Sequence, residues 1–140
     1  METRKIARMS KTRLIYRVPY ADTDKMGRVY YANYLVYFER VRNEMLRESG
    51  LSYLEMENRG ILLPVIEAHC IYKLPATYDD LLEVYGWFEE TLPTRIRITC
   101  EIIKDNALLT TGYTVHACLS SETKKPIKIP LDIRQRLNQK

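Results

Sequence analysis

The stretch YADTDKMGRVYYANY, residues 20–34, places two carboxylates, Asp22 and Asp24, in a short polar loop just ahead of a helix that begins near Asn33. The first turn of a helix presents unpaired backbone N–H groups and the positive end of the helix dipole, which together suit a negatively charged oxygen. A carboxylate beside such an oxyanion seat is what the hydrolysis of an ester or thioester requires. The stretch therefore predicts a hydrolytic site, although a turn followed by a helix also occurs without chemistry.

The segment after this loop has the period of an amphipathic helix. Apolar side chains recur at three- and four-residue steps, and charged side chains fill the opposite face. We expect one long helix from Asn33 to Ser49, with Asn33 as its N-cap and Gly50 in the left-handed position just past its end. A shorter helix is expected over Ser52–Asn58.

The remaining segments have the period of β-strands. We expect strands over residues 13–20, 62–74, 82–90, 95–104 and 108–120, with a hairpin turn at Asp105-Asn106. The order is strand, long helix and four strands in a meander, which predicts an α+β fold with a curved antiparallel sheet wrapped around one long central helix. Such an open sheet has exposed edges, and pairing two sheets edge to edge in a homodimer would cover them.

Composition narrows the class of protein. The chain has 140 residues, and we expect a flexible segment over residues 1–12 and one domain over residues 13–140. Its 22 basic and 18 acidic residues are scattered along the sequence, which argues against nucleic-acid binding. No apolar run reaches the roughly 20 residues of a membrane span, and the N-terminus lacks the hydrophobic region of a secretory signal. We therefore expect a cytoplasmic protein that has no membrane partner.

The three cysteines, Cys70, Cys100 and Cys118, lie far apart in apolar strand segments. Their spacing matches no metal-ligand motif, so we expect buried, reduced thiols and no metal site. The two histidines, His69 and His116, lie in separate strands, and we expect each to be a core or interface residue.

Four segments carry a resemblance to a known family. They are Tyr20–Asp24, the MGRVYYANY segment at residues 26–34, FERVR at residues 38–42 and, more weakly, PATYDD at residues 75–80. Over about residues 13–130 the chain resembles the hotdog fold, and specifically the 4-hydroxybenzoyl-CoA thioesterase-like family. The resemblance implies hydrolysis of an acyl-CoA to a free acid and CoA, no cofactor, an acyl-CoA or acyl-carrier-protein substrate, and a homodimer or tetramer.

The resemblance also implies residue roles. The catalytic carboxylate falls on Asp24, as nucleophile or general base, and the backbone N–H of Tyr31 would polarise the thioester carbonyl. Many bacterial relatives carry histidine where this chain has Tyr31, so an acid–base role of that side chain is not implied here. Asp22 is expected to hold the loop through backbone amides. The candidates for substrate contact are Gly27, Val29, Tyr30, Asn33, Tyr34 and Arg95.

Two other functions fit the same fold. One is a non-catalytic module that binds acyl-CoA or an acyl carrier protein, although an intact carboxylate in the loop argues against it. The other is a dehydratase acting on hydroxyacyl thioesters, which would place a histidine and a carboxylate around the central helix. The helix predicted here contains no histidine.

Overall fold

The computed structural model describes residues 11–138, which form a mixed α+β structure with a curved antiparallel sheet and few helices. This confirms the predicted class. Residues 1–10 of the expected flexible segment lie outside the described residues. The strands are β1 (Thr12–Arg17), β2 (Ile61–Leu62), β3 (Val65–Tyr72), β4 (Leu81–Thr91), β5 (Arg95–Lys104), β6 (Ala107–Ala117) and β7 (Leu119–Ser120); the helices are α1 (Asn33–Glu48), α2 (Tyr53–Asn58) and α3 (Leu131–Asn138).

The main sheet has the strand order β1-β4-β5-β6-β3, and every neighbouring pair is antiparallel. Strands β4, β5 and β6 form the predicted meander, but β3 pairs with β6 and not with β4. The four-strand meander is therefore wrong for β3, because β1 takes the edge of β4, from Thr12 opposite Gly86 to Arg17 opposite Leu81. Strand β3 thus becomes the opposite edge of the sheet.

The predicted strand over residues 62–74 is interrupted. It divides at residues 63–64 into β2, which pairs with β7, and β3, which pairs with β6. Pro64 has no N–H to donate to a ladder, which explains the break. The predicted strand over residues 108–120 divides in the same way into β6 and β7.

Helix α1 packs its apolar face on the sheet, and Phe38 and Val41 are fully buried there. The helix ends as predicted. Gly50 has a φ of 75°, its N–H donates to the Arg47 carbonyl at 2.9 Å, and the Leu51 N–H donates to the Leu46 carbonyl at 2.8 Å. This pair of bonds is the Schellman motif, which satisfies carbonyls at the end of the helix.

The core-facing side of β6 is more polar than its apolar alternation suggests. His116 is 1% exposed; its Nδ1–H donates to the Leu63 carbonyl at 3.0 Å, and its Nε2 accepts from the Thr114 hydroxyl at 2.9 Å. Because Leu63 O can only accept, Nδ1 must carry the proton. Burial, with a smaller effect from the nearby Arg42 cation, lowers the pKa of His116 to about 4. His116 is thus a satisfied core residue.

Strand β3 is the exposed edge of the sheet. Its apolar side chains Val65, Ile66 and Ile71 are each nearly half exposed, and His69 is exposed and stacks on Tyr113 with the ring centroids 5.2 Å apart. An apolar edge strand with unpaired backbone groups is a surface on which another strand can pair.

Helix α3 is not predicted from the sequence. Its Ile133 and Leu137 are fully buried, while the other residues of the segment are mostly polar. Two apolar residues four positions apart are too short a pattern to identify a helix.

Three further features concern the described residues. None of the helices within residues 11–138 is long and apolar enough to cross a membrane. The same residues contain no cluster of three or more His, Cys, Asp or Glu side chains that would hold a metal ion. The cysteines are free thiols, with Cys100 and Cys118 buried and Cys70 half-buried.

Candidate active site

Asp24 is held in a tight turn by its own backbone and side chain. Its Oδ1 accepts hydrogen bonds from the N–H of Met26 at 2.8 Å and of Arg28 at 3.2 Å. Its backbone N–H donates to the Arg28 carbonyl at 2.7 Å, and its carbonyl accepts from the Gly27 N–H at 3.1 Å. Within residues 11–138, Oδ2 has no hydrogen-bond donor. The turn therefore orients the carboxylate through one oxygen and leaves the other available.

Gly27 supplies the backbone geometry that this turn needs. Its φ is +77°, a left-handed conformation that a side chain would strain. It does not line the cavity described below, so its place in the structure is that of a turn residue beside Asp24.

Asp22 connects the loop to β1 and α1 through hydrogen bonds. Its Oδ2 accepts from the hydroxyls of Tyr37 at 2.7 Å and Tyr16 at 3.1 Å, and its carbonyl accepts from the Tyr30 N–H at 2.8 Å and from Asn33 Nδ2 at 2.9 Å. Burial and the Asp22 carboxylate raise the pKa of both tyrosines, so the hydroxyls stay protonated as donors. Asp22 holds the loop, but its carboxylate uses tyrosine hydroxyls and not the expected backbone amides.

The head of α1 is built differently from the prediction. The N-cap is Ala32, which has no side chain to cap the helix, and Asn33 is the first helical residue. The predicted N-cap role of Asn33 is therefore wrong, because its amide reaches back to Asp22. The Asn33 N–H donates to the Tyr30 carbonyl at 2.8 Å. In the part of the chain that the structure describes, the N–H groups of Tyr31 and Ala32 have no acceptor.

A cavity of about 330 Å³ joins the turn to the helix head. Four of the predicted site residues line it, namely Asp24, Val29, Tyr31 and Tyr34. Asp24 and Tyr31, which lies just ahead of α1, thus border the same open cleft. That is the arrangement an ester or thioester hydrolase needs.

Tyrosine rings form one wall of the cavity. Tyr34 is 3% exposed, its hydroxyl accepts from the Ala76 N–H at 3.1 Å, and burial raises its pKa. Tyr72, at the end of β3, lies with its ring centroid 5.1 Å from Tyr34 and 6.5 Å from Tyr31. The wall can pack a flat or apolar acyl group.

Besides Gly27, three predicted site residues lie outside this cavity lining, namely Tyr30, Asn33 and Arg95. Tyr30 packs against Tyr31 with ring centroids 4.8 Å apart, and Asn33 points to Asp22. Arg95 lines a separate cavity of about 160 Å³ beside Glu67 and Glu90. Glu67 accepts a hydrogen bond from the Tyr113 hydroxyl at 2.7 Å and has no contact with the first cavity.

The cavity includes residues that the sequence did not identify, chiefly Arg28, Tyr72 and Lys73. Tyr72 and Lys73 come from the end of β3, which reaches the loop because the Val29 N–H donates to the Ala76 carbonyl at 2.8 Å. One sequence signal could have pointed to Lys73 as a cavity residue: it lies two positions before the PATYDD segment, which carries part of the family resemblance.

Comparisons with known proteins identify the family of this chain. The Thioesterase-like superfamily profile matches residues 18–137. YneP of Bacillus subtilis is 36% identical over 112 residues, which are 79% of this chain and 81% of YneP. The acyl-CoA thioester hydrolase YbgC of Escherichia coli is 32% identical over 84% of this chain and 88% of its own.

Among solved structures, the DHNA-CoA thioesterase of Staphylococcus aureus is 34% identical, with a TM-score of 0.80 over 84% of this chain and 80% of its own. The Thermus thermophilus protein TT1821 is 31% identical, with a TM-score of 0.85 over 90% of this chain and 96% of its own. These similarities confirm the resemblance inferred from the sequence. The chain therefore belongs to the thioesterase-like superfamily and is a thioesterase of the hotdog type.

Proposed function

We propose that this protein hydrolyses an acyl-CoA thioester to a free carboxylic acid and CoA, with Asp24 and the Tyr31 backbone N–H as its catalytic groups. The observation that carries the proposal is their shared cavity: the Asp24 carboxylate and Tyr31, at the head of α1, line the same 330 Å³ volume. The names of YbgC and of the Staphylococcus aureus enzyme support a CoA ester as the substrate class.

Asp24 acts through its Oδ2, since Oδ1 is engaged by two backbone N–H groups. As a general base it takes a proton from a water molecule, whose oxygen bonds to the thioester carbon. The proton then passes to the departing CoA thiolate as the C–S bond breaks. As a nucleophile, Asp24 instead bonds to the acyl carbon, expels CoA thiolate and leaves a mixed anhydride that water hydrolyses. Hydroxylamine present during turnover separates the two routes, because it labels Asp24 only if the anhydride forms.

The Tyr31 N–H stabilises the oxyanion that develops on the thioester oxygen in either route. A preorganised donor of this kind typically contributes about 100-fold to 1,000-fold in rate. A backbone N–H is present whatever the side chain of its residue, so tyrosine at position 31 is compatible with an oxyanion-binding role.

Substrate contacts divide between the two ends of the cavity. Val29 and Tyr34 are buried and suit the acyl group, and Arg28 and Lys73 are exposed cations that suit the CoA phosphates. Gly27, Tyr30 and Asn33 shape the loop that the substrate meets. Arg95 remains a candidate for the nucleotide end of CoA.

A second copy of the chain completes the site in this proposal. Helix α1 serves as the central helix of the hotdog fold, within one domain over residues 13–140. The exposed β3 edges of two copies pair, and dimers can associate further into tetramers. An acyl carrier protein is an alternative thioester carrier, and a cytoplasmic location stays a prediction.

The test is release of free thiol from a panel of acyl-CoAs by the wild type and Asp24→Asn. Asparagine keeps an Oδ1 acceptor for both backbone N–H groups, so the turn should persist while the reactive charge is lost. We expect kcat to fall by about 100-fold to 10,000-fold. Asp105→Asn, in the β5–β6 hairpin turn, is the matched control and should leave kcat unchanged.

Two outcomes oppose the proposal. Near-normal turnover by Asp24→Asn would remove Asp24 from the mechanism. Saturable binding of CoA esters by the wild type without hydrolysis of any of them would favour the non-catalytic binding module.

A further inference from the structure

The hydroxyl of Tyr72 fastens the edge strand β3 to the turn at the head of α1. It donates a hydrogen bond to the Tyr31 backbone carbonyl at 2.9 Å, across 41 positions of sequence. The Tyr72 ring meets the rings of Tyr31 and Tyr34 at steep angles of 86° and 65°, so neighbours on two sides restrict its movement. Burial, with the neighbouring Cys70 thiol, raises the pKa of Tyr72 to about 12, so the hydroxyl keeps the proton that it donates.

The carbonyl that Tyr72 holds belongs to the peptide unit between Tyr31 and Ala32. A trans peptide is planar, so fixing the direction of its oxygen also fixes the opposite direction of the Ala32 N–H. The other bond to this oxygen comes from the Tyr34 N–H at 3.4 Å, which is long for a hydrogen bond. Tyr72 is thus the main restraint on this peptide unit.

The neighbouring peptide unit, between Tyr30 and Tyr31, has its own restraint. Its carbonyl accepts from the Asn33 N–H at 2.8 Å, which sets the direction of the Tyr31 N–H. Two consecutive peptide units at the helix head are therefore each held by one good hydrogen bond. Both of their N–H groups lack an acceptor within residues 11–138.

We propose that Tyr72 is a positioning residue: by holding the Tyr31 carbonyl it fixes the direction of the Ala32 N–H, the neighbour of the Tyr31 N–H that is proposed to bind the oxyanion. The inference rests on the proposed function. Rotation of this peptide unit would bring its carbonyl oxygen to the side where the Ala32 N–H now lies, next to the Tyr31 N–H, and that oxygen would repel the developing oxyanion. Tyr72 touches the oxyanion seat only through Tyr31.

Tyr72→Phe tests the proposal, because it removes one hydroxyl and keeps the ring. We expect kcat to fall about threefold to tenfold, the effect of losing one neutral hydrogen bond. KM should change less than about twofold, since the ring still lines the cavity. Tyr113→Phe is the matched control. It removes a tyrosine hydroxyl that donates to Glu67 on the neighbouring strand, outside the catalytic cavity, and should leave kcat unchanged.

Hydrogen exchange of peptides covering residues 30–36 supplies a readout that does not need catalysis. Tyr72→Phe should raise exchange at the start of α1 without lowering the melting temperature by more than a degree or two. Unchanged exchange and unchanged kcat would overturn the proposal, as would an equal loss of kcat in Tyr113→Phe. If the wild type hydrolyses no acyl-CoA, the proposed function fails, while the exchange experiment still decides whether Tyr72 holds the turn.

Discussion

Replacing Gly112 with alanine should be among the most damaging single-methyl changes in this fold. Gly112 lies on β6 opposite Cys70 of the edge strand β3 and opposite Cys100 of β5. A Cβ built there would lie 2.2 Å from the His69 backbone carbonyl oxygen and 2.8 Å from Cε2 of Phe38. One neighbour is the backbone of the paired strand and the other is a fully buried ring.

The cost follows from what has to move. Overpacking a well-packed core by one methyl typically costs about 1–3 kcal/mol. To avoid the clash with the His69 carbonyl, β3 must also move away from β6, and each hydrogen bond lost between these strands adds about 1 kcal/mol. We therefore expect Gly112→Ala to lower the free energy of unfolding by about 3 kcal/mol or more, equivalent to a melting temperature lower by roughly 10 °C.

Gly86→Ala is the matched control, because it adds the same methyl to a central strand. The new Cβ there would lie 2.8 Å from Sδ of Met45 and 3.0 Å from Cγ1 of Val41, which are side-chain atoms only. Methionine is flexible and can adjust, so a cost of about 1–2 kcal/mol is expected. Urea unfolding of both variants measures the difference. The reasoning is refuted if Gly112→Ala is as stable as the wild type, or more stable than Gly86→Ala.

Two further predictions concern titration and charge. In the unfolded chain His116 takes up a proton below about pH 6.5, whereas in the native protein it stays neutral until about pH 4. The free energy of unfolding of the wild type should therefore fall by up to about 3 kcal/mol as the pH is lowered from 6.5 to 4. Urea unfolding at several pH values should show a flatter dependence in His116→Gln, and identical curves would contradict the assignment. Lys73→Glu should raise the KM for an acyl-CoA several-fold, most strongly at low ionic strength, because it reverses a charge at the cavity that Asp24 lines. Arg95→Glu reverses a charge at the second cavity and is measured alongside Lys73→Glu. If Arg95→Glu raises the KM and Lys73→Glu does not, the CoA phosphates bind at the second cavity and not beside Lys73.

The parts of the fold that follow from local pattern were predictable. The strand alternation of β5, the period of α1, the left-handed Gly50 and the turn at Asp105-Asn106 depend on neighbours within a few positions. Asp24 and Tyr31 lie seven positions apart, so the sequence could place both at one helix head.

The parts set by distant pairing were not predictable in this way. The position of β3 at the far edge depends on β1 pairing with β4, a contact between segments about 70 residues apart. Tyr72 and Lys73 reach the cavity through another distant contact, the hydrogen bond from the Val29 N–H to the Ala76 carbonyl. Asparagine is a residue type favoured at the N-cap, but the side-chain amide of Asn33 donates to the Asp22 carbonyl, 11 positions earlier. Local sequence preferences do not reveal that a distant acceptor competes for this amide.

The hydrogen bonds of Asp22, which hold the loop that contains Asp24, have a consequence for how substrate preference could be changed. The supports of Asp22 come from β1 and α1, while several residues of the cavity lining come from the end of β3. The side chains of Tyr31 and Leu74 line the cavity without bonding to Asp22 or Asp24. If the proposed function holds, substitutions of these two side chains change the space for the acyl group and keep the hydrogen bonds of Asp22 and Asp24, which makes them the natural sites for a library that seeks new acyl specificity.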